Sequence, residues 1–296
     1  MEKHRKKLIK NAAVFDGHSS GLAQGKKIVI EDDIVTEITA DEVSEENFDE
    51  VFDGTGMVAM PGMTDAHVHM GCLFAKGEFP VDYATVLTVA KCKDALMAGF
   101  TTFRDAGSVS EGLKLAFDEG VLPGPRIYPC GAYISQTCGH GDSEYAHTYR
   151  DIQYRHPSST VLADGVPEII RAVREQFYRG ASHIKLMATE ILNRHEDIRL
   201  LFGTDMMITG PDYQVEQSED IRYYEKRFGT MRALRALTGT ANEVFALTTY
   251  QNPYPKGKIG VLEAGSYADL LLVDGDPTKS VSVLADTDHL RLDRKS

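Results

Sequence analysis

Tryptophan is absent from the 296 residues, and cysteine occurs only four times. Cys72, Cys92, Cys130 and Cys138 are widely spaced and form no C-x-x-C pair. They resemble neither a disulfide framework nor a zinc knuckle, so reduced thiols in a cytoplasmic protein are expected. Basic residues are also few, 32 against 44 acidic ones, for a net charge of −12. That balance argues against nucleic acid or an anionic membrane as the main partner, since both need a basic footprint. No apolar run reaches the roughly 18 residues that a membrane span needs. The N-terminal MEKHRKKLIKNAAVFDG is basic but leads into no long apolar stretch, so it does not read as a secretory leader.

With 42% hydrophobic and 26% charged residues, the chain has enough apolar surface for a globular core, so disorder is excluded. The length suits two domains, or one α/β barrel of about 250 residues with a smaller unit beside it.

Both ends read as β-rich. LIKNAAVF, KIVIEDD and IVTEIT carry branched apolar residues between Gly-rich or acidic turns. Near the C-terminus, ADLLLVD is a strong apolar strand inside a turn-rich stretch. The middle alternates. Helices are expected at 84–98, 110–119, 166–179 and roughly 216–237, and strands near 62–69, 101–106, 126–134, 183–189 and 199–205. A polar loop is expected from 136 to about 164. Strands alternating with helices predict a parallel sheet covered by helices. Polar residues gather at the strand C-terminal ends, where such enzymes place their chemistry.

His67 and His69 stand two apart on a strand and therefore share a face. Two imidazoles presented together suit Zn²⁺ or a similar ion, although H-x-H also arises as a plain histidine pair. Asp65 lies on the same side and could orient one of them. Asp205 ends the FGTD segment, where a carboxylate can bind metal and move a proton; the alternative is a helix N-cap. Lys185 sits in HIKLMAT. A lysine there loses pKa through burial and could be carbamylated, or it could simply be exposed or ion-paired.

LIKNAAVFDG, VFDGTGMVAMPGMTDAHVHMG, AGFTTFRDAGS, GASHIKLMAT, LFGTD and KIGVLEAGSYADLLLVDGDP together resemble the amidohydrolase superfamily. Within it they are most similar to the imidazolonepropionase-related branch that holds prolidase-like metal-dependent dipeptidases. SQTCGHGD at 135–142 is similar to a substrate-facing loop of that branch, which makes His140 a substrate-facing candidate; Cys138 stands where glycine is expected. The resemblance implies an α/β fold, a (β/α)8 TIM-like barrel (60–252) with a small β-sandwich from both termini (1–59 plus 253–296). It implies one divalent metal, with Zn²⁺ expected, on His67, His69 and Asp205. Lys185, as its carbamate, would bridge to a second. Asp205 would shuttle the proton as a small amide or dipeptide is cleaved, and a homo-oligomer is compatible with this.

The pattern also breaks. The metal histidines of the family's fifth and sixth strands have no counterpart, and the eighth-strand motif LFGTD follows the lysine strand almost at once. About five of eight strands are accounted for, as though the fifth to seventh barrel units were deleted. His195 is not a replacement by motif and reads as a surface histidine; His147 and His156 lie in a long loop that could approach the site, but nothing in their spacing marks them. TDHLRLDRKS stands where a final sandwich strand is expected. The competing readings are a non-catalytic truncated remnant or binding protein, and a cyclic-amide hydrolase or deaminase of the same superfamily.

Overall fold

Branched apolar runs favour extended backbone, and amphipathic stretches between Gly and Pro signals favour helix. The computed structural model describes residues 5–70, 81–107, 111–137, 139, 141–142, 160–187, 199–207 and 213–294. The N-terminal strands are β1 (Lys6–Lys10), β2 (Ala13–Val14), β3 (Lys27–Glu31), β4 (Ile34–Thr39), β5 (Glu50–Asp53) and β6 (Val58–Pro61). Then come β7 (Met63–His69), α1 (Val81–Met97), β8 (Phe100–Asp105), α2 (Glu111–Asp118), β9 (Arg126–Tyr128), β10 (Tyr133–Ser135) and β11 (Thr160–Leu162). Next are α3 (Val166–Tyr178), β12 (Leu186–Met187), β13 (Met206–Met207), α4 (Tyr213–Phe228), α5 (Thr230–Leu237), α6 (Gly239–Phe245), β14 (Leu270–Val273) and β15 (Leu290–Arg294).

The chain ends build two sheets, ordered β4-β3-β1-β5 and β15-β14-β6-β2. Ile9, Ile28, Ile30 and Val35 of the first share a buried cluster with Val14, Ala59, Leu270 and Leu272 of the second. Alternation explains it, since every second side chain of a strand reaches the same face. The middle segment forms parallel sheets, ordered β13-β7-β8-β9 and β11-β10-β12. Helices between parallel strands give the α/β, barrel-like arrangement expected from the sequence. Its core joins Met63, Val68, Phe100, Phe103, Ile127 and Phe202 to Leu234 and Leu237 of α5.

Several expected elements differ. The strand expected over 126–134 is two strands, because Pro129 lacks a backbone donor and Gly131 takes φ +68°. The break hands the chain from one parallel sheet to the other. The helix expected over 216–237 is α4 and α5, separated at Gly229 with φ +82°. β11 lies inside the expected 136–164 loop. Of the strand expected over 183–189, only β12 is regular; residues 188 and 189 lie outside the described segments. Residues 199–205 form no regular strand, although two backbone bonds tie them to β7: Ala66 N donates to Phe202 O and Asp205 N to His67 O. A positive φ of 56° at Asp205 breaks the extended backbone there. The C-terminal TDHLRLDRKS does contribute a strand, β15, antiparallel to β14. Backbone pairing against a buried strand outweighs the high charge of that segment.

One buried ion pair crosses between the two parts. Arg126 opens β9, and Asp269 immediately precedes β14. Nε donates to Oδ2 at 2.6 Å and Nη2 to Oδ1 at 3.2 Å, with side chains only 8% and 2% exposed. The guanidinium also lies 3.7 Å from the Tyr267 ring centroid. Its burial alone would disfavour the charge, but Asp269 outweighs that and holds the Arg126 pKa above its ordinary value. Asp269→Asn leaves this guanidinium buried without a counter-charge. The expected loss is about 3–5 kcal/mol of unfolding free energy, read from urea melts.

Candidate metal centre

The sequence places Gly, Thr and Asp in succession at 203–205, and each has a separate task. Asp65 of β7 is fully buried. Its Oδ1 accepts from His67 N at 3.1 Å and Thr204 N at 3.3 Å, and its Oδ2 accepts from Thr204 Oγ1 at 2.9 Å. These charge-assisted bonds hold the 199–205 segment against the strand carrying both histidines. Gly203 permits the approach: a Cβ there would stand 2.7 Å from His67 Cβ. Gly107 does likewise for His69, whose Nδ1 would lie 2.9 Å from an added Cβ.

The result is a convergence of donor atoms. Asp205 Oδ1 lies 2.9 Å from His67 Nε2 and 3.1 Å from His69 Nε2. One ligand-type atom from each of His67, His69 and Asp205 falls within 4.8 Å of the others. Lys185 Nζ lies 2.8 Å from His67 Nε2, so the fourth residue singled out in the sequence joins the same cluster. His140 lies outside the described residues, as do Cys138, His147, His156 and His195. Asp205 is 69% exposed and His69 only 11%, so the cluster opens to solvent on the carboxylate side.

Electrostatics keep His67 neutral. Burial lowers its pKa most, Lys185 lowers it further, and Asp205 raises it only in part, leaving it at about 4. A neutral imidazole has a single proton. Nε2 therefore cannot at once donate to Asp205 and accept from Lys185. Nitrogen lone pairs and a carboxylate oxygen converging on one point are instead the donor set that a divalent cation satisfies. By that test the three residues fit a metal.

Two neighbours were not singled out in the sequence. Arg104, in β8, donates from Nη1 to Ala66 O at 3.3 Å, and burial lowers its pKa. His183 is held near 3 by burial and then by Arg104. The Arg of TTFRD and the His of SHIK lie within the sequence motifs, but only their three-dimensional approach to His67 marks them.

Gly203→Ala forces the 199–205 segment away from His67 and is expected to cost about 1–3 kcal/mol by overpacking. Gly21→Ala meets nothing within 4 Å and is expected to change stability by less than about 0.5 kcal/mol. Paired chemical denaturation curves check both.

Residues 58–196 match the model of the amidohydrolase family. The chain is 34% identical over 152 residues to the ochratoxinase of Aspergillus niger, an alignment covering 45% of this chain and 31% of that protein. It is 39% identical over 176 residues to the imidazolonepropionase of Picrophilus torridus, covering 55% of this chain and 43% of that one. The chain thus spans less than half the length of these relatives. A prolidase solved with N-methylphosphonate-L-proline superposes with a TM-score of 0.81 at 22% identity, over 96% of this chain and 97% of that one. The Aspergillus niger ochratoxinase structure gives 0.74 at 18%, over 98% and 94%. These structural likenesses support the TIM-barrel-like fold that the family resemblance implied, consistent with the parallel sheets predicted from strand–helix alternation. By sequence, the likeness to the amidohydrolase family extends over residues 58–196, just under half of the chain.

Proposed function

We propose that this protein is a metal-dependent hydrolase of a C–N bond in a small amide or dipeptide. The convergence of His67, His69 and Asp205 carries the reading. The similarity to ochratoxinase, and the fold shared with a prolidase, support amide bonds as the substrate class. The two terminal sheets act as a β-sandwich domain, 1–59 plus 253–296. Residues 60–252 act as the hydrolase domain, an incomplete barrel of about five strand positions.

His67, His69 and Asp205 would hold one divalent ion, Zn²⁺ by preference for two imidazoles and a carboxylate. Bound there, such an ion supplies Lewis-acid polarisation of the scissile carbonyl and a more acidic water. Asp205 is the exposed member of the cluster, so its carboxylate accepts the proton of the attacking water and returns it to the leaving nitrogen. Lys185 as its carbamate would add an oxygen donor beside His67. Its formation joins CO₂ to the neutral amine and releases one proton. Asp65 and Thr204 keep Asp205 aligned as positioning residues.

A second reading has its own observation. Among the described residues this three-residue group is the only metal-type cluster, so a two-metal centre has few protein ligands here. That favours a mononuclear enzyme, or a binding protein derived from one. Assays on N-acyl amino acids and dipeptides, paired with metal analysis, separate these. Chelation, His67→Ala and Asp205→Asn are each expected to lower turnover at least about 100-fold. Zn²⁺ is expected to bind at one equivalent and to be lost in His67→Ala. Hydrolysis that survives exhaustive chelation overturns the metal-dependent reading; stoichiometric zinc without turnover supports the binding protein.

A further inference from the structure

A second concave site lies away from the histidine cluster and shares no residue with it. A cavity of 640 Å³ is lined by Arg199, Arg232 and Arg235, by Glu243, and by the apolar side chains of Leu200, Phe228 and Met231. This volume falls within the range of small-molecule sites, roughly 300–1,000 Å³.

Three guanidinium groups around one cavity are notable in a chain of net charge −12. One is neutralised: Arg199 Nε lies 3.2 Å from Glu243 Oε2. The other two stand one helical turn apart on α5 and so share a face. Arg232 leans toward the Phe228 ring, 5.6 Å from its centroid. The Nε of Arg235 is buried and has no hydrogen-bond partner among the described residues. The neighbouring carboxylate on α4, Glu225, is committed elsewhere; it accepts from Ser280, Val281, Ser282 and Thr230. Those hydrogen bonds outweigh its burial and hold its pKa below the ordinary carboxylate value.

The planar fork of a guanidinium matches the oxygens of a phosphate or carboxylate, and phosphate carries the larger charge. The apolar lining offers contact to a ring or short hydrocarbon. We infer that this cavity binds a phosphorylated small molecule with an apolar or planar body, its phosphate held by Arg232 and Arg235.

Calorimetric titration of the full chain with phenyl phosphate, at constant ionic strength, tests this. Saturable one-to-one binding is expected, several-fold tighter than inorganic phosphate. Arg232→Gln and Arg235→Gln should each weaken it at least about tenfold, the scale of one lost charge-assisted hydrogen bond. Arg171→Gln, an exposed position on α3, should leave it within about twofold. Should Arg235→Gln fail to fold, exposed Arg232→Gln carries the test. His67→Ala should leave the affinity unchanged, which separates this site from the proposed metal centre whatever the fate of that centre. Absence of saturable binding overturns the inference, as does an affinity indifferent to both arginine substitutions. Phthalate binding tighter than phenyl phosphate, with the same arginine dependence, overturns the phosphate in favour of a carboxylate.

Discussion

The buried carboxylate of Asp65 is the constraint on which the candidate centre depends. A charge at full burial is tolerated only when hydrogen bonds replace its lost water. Here those bonds come from His67 N, Thr204 N and Thr204 Oγ1, on two segments far apart in sequence. Satisfying Asp65 therefore brings 203–205 against β7, and Asp205 arrives beside both imidazoles as a consequence. Gly203 belongs to the same constraint, because any side chain there would collide with His67.

The second long-range tie, Arg126 to Asp269, works on a larger scale. It links the parallel strands to the sheets built from the chain ends, and both partners are nearly sealed from water. The main hydrophobic cluster also crosses between the parts, packing Val58, Met60, Leu271 and Val273 of the terminal sheets with Met63, Phe100, Phe103 and Ile127 of the parallel strands. A bidentate ion pair stacked on Tyr267 is directional and adds an oriented tie to that packing. The positive φ at Asp205 is the counterpart at the centre itself, a sparsely populated conformation held by the bond from its own N–H to His67 O.

Much of this was legible in the sequence. The spacing of His67 and His69 already implied a shared face, and the α/β alternation implied parallel strands. Lys185 was recognisable as a lysine in an apolar stretch, although it precedes β12 rather than lying in a strand. Boundaries were less legible where backbone conformation, rather than hydrophobic pattern, decides. Gly131 and Gly229 interrupt segments whose apolar spacing runs on unbroken, and 199–205 carries a strand-like composition without forming one. The strand at Leu290–Arg294 was obscured by its charge, because its stability comes from pairing with β14. Arg104 and His183 were invisible as partners of His67, since nothing in their spacing measures a distance across a sheet.

The sequence by itself determined the donor types, the faces they occupy on their strands and the likeness of residues 58–196 to the amidohydrolase family model, because residue identity and a period of two are local properties. Tertiary structure alone decided that Asp205 and Lys185 reach the same imidazole, and that two arginines of α5 share a cavity with Arg199. The physical reason is common to both. Which side chains meet across the fold depends on long-range burial, on hydrogen bonds that a buried charge must find, and on the few glycines that let segments touch.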